Sequence, residues 1–191
     1  MSGDLSPGFA DPVTEAQACF RAVLDAMARP GRLHTLGGVT PPPPLGVASA
    51  AVLLTLVDHE TPLWLDDGLR AAQPWLAFHC GAAVVADPRA AAYAVATDLG
   101  ELGRFHPGTH EMPETAATLI LQVAGFGSGR RLRLSGPGLR APASFAVAGL
   151  PDDFIAQWHA NRTQFPCGVD LILCAGDQLA ALPRSVTIEE G

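Results

Sequence analysis

The chain has 191 residues, of which 48% are hydrophobic and 16% are charged, so it is long and apolar enough to bury a core without disulfides or a metal. Its formal net charge of −7 argues against general nucleic-acid binding, which needs a basic face. All 12 lysine or arginine positions are arginine, which excludes Schiff-base chemistry on a lysine and a phosphate loop centred on a lysine.

The predicted elements begin after a flexible N-terminal arm, residues 1–10, and lie in a single domain over residues 11–191. Apolar residues recur at spacings of three and four from Val13 to Met27, which predicts a helix that Pro30 and Gly31 end. Further helices are predicted over 47–57, 69–79 and 151–161, with a helical turn or two over 98–105. Strands are predicted over 61–65, 92–96, 118–123, 130–134 and 169–174, followed by a closing hairpin of 179–182 and 186–189.

The order of these elements predicts the fold class. Helices alternate with strands that lack a clean polar alternation, and the strands 118–123 and 130–134 read as central ones. This pattern favours an α/β fold, with a three-layer mixed sheet flanked by helices.

The sequence predicts neither a membrane segment nor a metal site. No run of about 18 apolar residues is present, and the N-terminus lacks the basic and apolar parts of a leader. We therefore expect a cytoplasmic protein. The spacing of the cysteines and histidines fits no zinc or redox motif, so no cofactor is expected, although one spaced pair, His106 and His110, lies in a loop.

A carboxylate stands at the start of a buried strand. Asp170 follows Val169 and precedes the apolar run 171–173. A charge in such a place must be paired, hydrogen-bonded or used in chemistry. The sequence therefore predicts a buried charge at Asp170.

The turn after strand 130–134 is a candidate anion site. Ser135, Gly136 and Gly138 would present backbone N–H groups to a phosphate or carboxylate, and Arg131 and Arg133 would add positive charge. The same residues are also consistent with an ordinary tight turn and with the wet side of a strand. The turn lacks the Gly-Lys-Ser ending of a nucleotide loop.

A second group of residues is interpreted as a contact surface for partner subunits or for a second copy of the chain. Its arginines lie beside helix ends, where the helix dipole alone could account for them, and its tryptophan could equally belong to the core. The members are Arg29, Trp158, Asn161, Arg162, Phe165 and Pro166.

A third candidate is the run Asp58, His59 and Glu60. Two carboxylates around an imidazole could perform acid–base chemistry. A solvated helix terminus explains the same residues, because neighbouring side chains need not converge.

Taken together, short segments in a fixed order resemble the H subunits of bacterial carbon–phosphorus lyase, the PhnH family. The resemblance covers about Phe9 to Glu189. It rests on residues 11–13, 20–21, 27–31, 53–58, 61–65, 78–79, 113–114, 118–121, 134–138, 165–166, 168–173 and 182–184.

The resemblance implies a role in organophosphonate catabolism. Members of this family work in a core complex with the G, I and J subunits, which joins a phosphonate such as methylphosphonate to the ribose of ATP and releases adenine. Their fold is similar to the large domain of pyridoxal-phosphate (PLP) dependent transferases, without the cofactor. The resemblance carries over no catalytic residue, and the iron–sulfur radical chemistry belongs to another subunit.

Two hypotheses remain open from the sequence. In the first, the chain is a non-catalytic helper or scaffold subunit that forms a homodimer and docks through apolar faces. In the second, it contributes phosphonate- or triphosphate-binding groups to the transferase step through the turn 135–138. A third and weaker hypothesis is a stand-alone hydrolase that uses Asp58.

Overall fold

The computed structural model describes residues 6–191, which form four α-helices and nine strands arranged in two sheets. The helices are α1 (Pro12–Ala28), α2 (Val47–Leu56), α3 (Gln73–Cys80) and α4 (Phe154–Arg162). The strands are β1 (His34–Thr35), β2 (Leu63–Leu65), β3 (Tyr93–Ala96), β4 (Thr118–Gln122), β5 (Gly125–Ser135), β6 (Ala143–Ala148), β7 (Asp170–Ala175), β8 (Gln178–Leu182) and β9 (Thr187–Glu190).

Local signals set the helix bounds. The side chain of Asp11 caps α1 by accepting from the backbone N–H of Thr14 at 3.3 Å, and proline occupies its first turn. Gly81 ends α3 in the left-handed conformation, at φ 64°. The helix predicted over 69–79 is in two parts, a 3₁₀ segment at Asp67–Ala72 followed by α3.

The large sheet has six strands in the order β1-β8-β7-β4-β3-β2. Strands β2, β3, β4 and β7 are parallel, and β8 and β1 join as antiparallel strands. Successive side chains of a strand point to opposite faces, so this sheet divides the core in two. Ile120 and Ile172 face α1 to α3, whereas Leu119 and Leu171 face the second sheet and α4.

The second sheet corrects two predictions from the sequence. Its order is β6-β5-β9, so β5, predicted as a central strand, lies outside the large sheet. The predicted closing hairpin is also wrong, because β8 pairs with β7 and β1 while β9 pairs with β5. The chain between them passes from one sheet to the other at Pro183. Strands β6 and β1 were not predicted.

The mixed α/β architecture that the sequence predicted is confirmed: the large sheet is mixed, and helices α1 to α3 cover one face of it. Of the predicted arm, residues 1–5 lie outside the described residues. From Ser6 onward the chain is held on α3, since the Ser6 carbonyl accepts from Trp75 Nε1 at 2.7 Å. Within residues 6–191 no helix is long and apolar enough to cross a membrane.

Candidate functional site

A cleft of about 340 Å³ opens at the amino-terminal edge of the parallel strands. Asp170, at the start of β7, and Arg184, just beyond β8, carry its charges. Met27 at the end of α1 and the turn residues Phe165 and Pro166 provide apolar walls. We call it the Asp170 cleft. Several segments that carry the family resemblance meet here, namely 27–31, 113–114, 165–166, 168–173 and 182–184.

Asp170 is buried and forms an ion pair with Arg184. Arg184 Nη2 donates to Asp170 Oδ2 at 2.6 Å, and Nε lies 3.2 Å and 3.1 Å from the two carboxylate oxygens. The Arg184 backbone N–H donates to Oδ1 at 2.6 Å. The two side chains are only 16% and 11% exposed, for arginine and aspartate respectively. The charge at Asp170 is therefore paired and hydrogen-bonded.

The β7–β8 hairpin brings these two residues together. Leu171 pairs with Leu182 in the antiparallel register, so the end of β8 lies beside the start of β7 and Arg184 folds over Asp170. Its Nη1 also donates to the Pro113 carbonyl at 2.7 Å. This second bond ties the loop before β4 to the same site.

The turn from α4 into β7 is fixed by an amide. Asn161 accepts from the Val169 N–H at 2.8 Å and donates to the Val169 carbonyl at 2.9 Å. Gly168 between them has φ 122°, and a Cβ there would lie 3.0 Å from the Asn161 carbonyl oxygen, so glycine is required. Phe165, which this turn presents, is 60% exposed.

The charges of the Asp170 cleft limit its chemistry. Because Arg184 is engaged by Asp170 and by the Pro113 carbonyl, the pair presents no net positive charge to an anion. Glu114 on the rim is exposed and acidic. Neither a serine–histidine pair nor a cysteine nucleophile lines the cleft. An apolar-walled cleft with a neutral ion pair inside it is suited to contact with a protein surface more than to binding a phosphate.

The structure places the candidate anion turn against the end of α1. Arg131 and Arg133 point away from the core, and the alternate residues Leu132 and Leu134 are buried. Gly138 packs closely against α1, since a Cβ there would overlap the Ala28 carbonyl oxygen. The turn residues 136–138 are largely exposed.

A cluster of charged side chains at the end of α1 was not predicted. Asp25 contacts Arg29, lies 3.1 Å from Arg32 Nη1 and lies 3.0 Å from His34 Nε2. Burial, followed by the two nearby arginines, lowers the pKa of His34. Because Gly138 packs against Ala28 and Pro30, the residue between them, Arg29, lies next to the turn that contains Gly138.

The residues assigned to a partner surface divide into two groups. Arg29, Arg162 and Phe165 are exposed, and Pro166 is half-buried. Trp158 and Asn161 are 0% and 5% exposed, which corrects their assignment to a contact surface. The indole of Trp158 donates inward to the Val186 carbonyl at 3.0 Å.

Asp58 holds a local turn. Its Oδ1 accepts from the backbone N–H groups of Glu60 at 2.9 Å and Thr61 at 3.1 Å, and these bonds lower its pKa together with the Thr61 hydroxyl. His59 and Glu60 are almost fully solvated. Across residues 6–191, no group of three or more His, Cys, Asp or Glu side chains could hold a metal ion.

Sequence reasoning missed Arg184 and the loop at Pro113. The only available signal was an arginine just after an apolar strand that follows the one containing Asp170. That signal is useful only once the two strands are known to pair as a hairpin.

Comparison with known proteins places these observations in context. The family described as bacterial phosphonate metabolism protein (PhnH) matches residues 7–189. A Rhizobium meliloti (strain 1021) protein named alpha-D-ribose 1-methylphosphonate 5-triphosphate synthase subunit PhnH is 43% identical over 190 residues, which cover 96% of this chain and 95% of that relative. A Stutzerimonas stutzeri protein named putative C-P lyase subunit protein HtxG is 35% identical over 176 residues, covering 90% of this chain and 85% of the relative.

Proposed function

Because the chain belongs to the bacterial phosphonate metabolism protein (PhnH) family, we propose that it is a subunit of the synthase that forms alpha-D-ribose 1-methylphosphonate 5-triphosphate. It would thereby belong to the carbon–phosphorus lyase machinery of organophosphonate catabolism. The observation that carries this proposal is similarity over nearly the whole length of a relative with that name. The reaction would transfer the ribose triphosphate of ATP to a phosphonate such as methylphosphonate, with release of adenine.

The proposed role within that complex is a helper subunit without a catalytic residue of its own. Its support is the chemistry of the Asp170 cleft, where Asp170 and Arg184 neutralise each other, the rim residue Glu114 is acidic and the aromatic side chain of Phe165 is exposed. Phe165 is a suitable anchor for a docked partner, since a protruding aromatic side chain is typical of interface hot spots. The partners proposed from the family are the G, I and J subunits.

Three further features belong to the same proposal. The chain would work in the cytoplasm, where ATP is available, and it would form a homodimer. Its single domain would resemble the large domain of PLP-dependent transferases. The absence of lysine means that this chain could form no internal aldimine with PLP.

A second candidate role is direct binding of phosphonate or triphosphate. It is supported by the position of Arg29 next to the turn 135–138, where an anion would compete with Asp25 for this arginine. Arg131 and Arg133 are exposed on the strand that leads into this turn.

Reconstitution tests the helper role. The chain is co-expressed with the G, I and J subunits, and the complex is isolated through a tag on another subunit. We expect Phe165→Asp to reduce the amount of this chain that co-purifies by at least ~10-fold, because a hot-spot aromatic contributes about 2 kcal/mol or more. Phe78→Asp is the matched control, since Phe78 is similarly exposed, at 65%, but lies on α3. Co-purification of Phe165→Asp at the unchanged level would argue against docking at this turn.

Calorimetry separates the two roles. The isolated chain is titrated with ATP and, separately, with methylphosphonate. The helper role predicts no measurable binding of either. Binding that disappears in Arg133→Ala would favour the second role instead.

A further inference from the structure

Strand β6 leaves one side of the three-stranded sheet open. The other sheet edges are covered or very short: His159 Nε2 of α4 lies 2.8 Å from the Ile188 carbonyl oxygen of β9, residues 83–85 pair with Leu63 of β2, and β1 has only two residues. Strand β6 has six residues, with neither a charge nor a proline among them. Natural proteins usually protect an edge strand with such residues, because an open edge is a template for pairing with another chain.

The register shows which backbone groups of β6 are open. The Arg131 carbonyl accepts from the Gly191 N–H at 3.1 Å, so the backbone groups of Arg131 turn toward β9. Ala146 lies opposite Arg131, and in such an antiparallel pair both residues turn their backbone groups away from each other. Ala146, and Ser144 two residues before it, therefore direct their N–H and C=O groups outward. Within residues 6–191, no backbone hydrogen bond occupies these four groups. We call them the β6 edge.

Two arginines lie beside the β6 edge on the solvent face of the sheet. Arg131 is opposite Ala146, and Arg133 is opposite Ser144, so each pair shares a face. Both arginines are exposed. Although Glu189 of β9 is opposite Arg133, neither arginine forms an ion pair within residues 6–191. The small side chains of β6 leave room for both guanidinium groups to reach across it.

We propose that the β6 edge binds an extended segment of a partner protein as an additional strand, and that this segment carries carboxylates at alternate positions. Arg131 and Arg133 are two residues apart, about 7 Å along the strand, which is also the spacing of carboxylates at alternate positions of an extended segment. Main-chain bonds to Ser144 and Ala146 would give affinity, and the arginines would select for acidic residues.

The same charges disfavour a second copy of this chain as the occupant. Pairing of two β6 strands would bring two rows of arginines of like charge close together on the sheet. The proposal goes beyond the proposed function, because the helper role places docking at the Asp170 cleft and depends on Phe165, whereas the β6 edge belongs to the other sheet.

A peptide titration tests the charge selection. The probe is a fluorescently labelled heptapeptide of alternating valine and glutamate, and its binding is followed by anisotropy. We expect saturable binding to the wild type, and binding at least ~10-fold weaker to Arg131→Glu/Arg133→Glu, since like charges would then face each other. Arg89→Glu is the matched control, because Arg89 is also exposed but lies in the 3₁₀ segment Pro88–Ala90. A wild type that does not bind the heptapeptide, or a charge-reversed variant that binds it equally well, would overturn the proposal.

The variant Ala146→Pro tests strand addition separately from charge. Proline removes one outward N–H but leaves the bonds to β5, so we expect binding about 3- to 10-fold weaker, the equivalent of one net hydrogen bond, with both arginines still present. Unchanged affinity in a variant that keeps its circular dichroism spectrum would indicate charge attraction alone and would contradict strand addition. A lower solution mass of this variant than of the wild type, by light scattering, would show that a second copy occupies the edge and would equally overturn the proposal.

Hydrogen exchange on the wild type gives a readout that depends on no variant. Followed by NMR, the amide protons of Ser144 and Ala146 should exchange more slowly when the heptapeptide is bound, because these N–H groups would then donate to the added strand. A heptapeptide whose central valine is replaced by proline keeps the charge and should protect them less. Exchange at these two amides that the valine–glutamate heptapeptide does not slow would refute the proposed site.

Discussion

Removing the guanidinium from Arg184 should sharply destabilise the chain. In Arg184→Met the carboxylate of Asp170, which is 8% exposed, loses its contacts to Nε and Nη2 and keeps only the bond from the residue 184 backbone. Breaking a buried ion pair by removing one partner costs about 3–5 kcal/mol. For a chain of this size, each kcal/mol lowers the melting temperature by about 2–4 °C, so a fall of about 6–20 °C is expected.

Guanidinium unfolding followed by tryptophan fluorescence gives the free energy of unfolding, since Trp75 and Trp158 are buried reporters. The double variant Asp170→Asn/Arg184→Met should be more stable than Arg184→Met alone, because no unpaired charge remains buried. The two single variants and the double variant complete a double-mutant cycle. A loss below about 1 kcal/mol in Arg184→Met, or a cycle without coupling, would refute the account of this pair as a buried structural contact.

Two further predictions concern thiols and backbone. Burial raises the pKa of Cys80 and of Cys174 to about 12. Because the thiolate is the reactive form, at pH 8 these positions should react with a thiol reagent ~1,000-fold more slowly in the folded chain than in the unfolded chain. Equal rates in a labelling time course would contradict this. Gly138→Ala should cost about 1–3 kcal/mol, because φ is 83° and a Cβ would overlap the Ala28 carbonyl oxygen. Gly103→Ala is the control, because its new methyl group would meet nothing within 4 Å. Equal free energies of unfolding for the two variants would contradict the close packing of Gly138 against Ala28.

The long periodic elements could be predicted from the sequence, whereas the pairing of strands could not. Helix α1 and the fully buried strand β7 follow from the period of their apolar residues. Strand β6 was missed because Ala143–Ala148 is rich in alanine, which is depleted in strands. The error at Pro183 has a different cause: a proline between two apolar runs indicates a turn, but not that the chain changes sheets there.

In the candidate site, too, local features could be predicted from the sequence and contacts between strands could not. Local sequence predicted the charge at Asp170, because a carboxylate in an apolar run has few explanations. Its partner Arg184 depends on the register of β7 and β8, which is a property of the sheet. Trp158 was misassigned for a related reason. A tryptophan is equally suited to an interface and to a core, and only the position of α4 against the second sheet decides between them.

The two edges of the large sheet differ in what they offer a ligand. Ligands of open α/β sheets usually bind outside the carboxyl ends of the parallel strands. Here a cleft of about 330 Å³ at those ends contains Asp66 and Arg104. Asp66 already accepts from the backbone N–H groups of Leu69 at 2.9 Å and Thr97 at 2.6 Å, and Arg104 lies 4.5 Å from the ring centre of Trp64.

The groups at the carboxyl edge are thus engaged in contacts within the chain, and aspartates dominate its charge, which disfavours a phosphate or phosphonate ligand. The amino edge has the opposite character. Its ion pair is neutral, its exposed groups include Phe165, and the end of α1 lies beside it at Met27. Apolar surface left exposed next to a rigid, internally satisfied polar pair favours protein contact over catalysis. We therefore expect variants at the amino edge to impair assembly of the complex before they alter any chemical step.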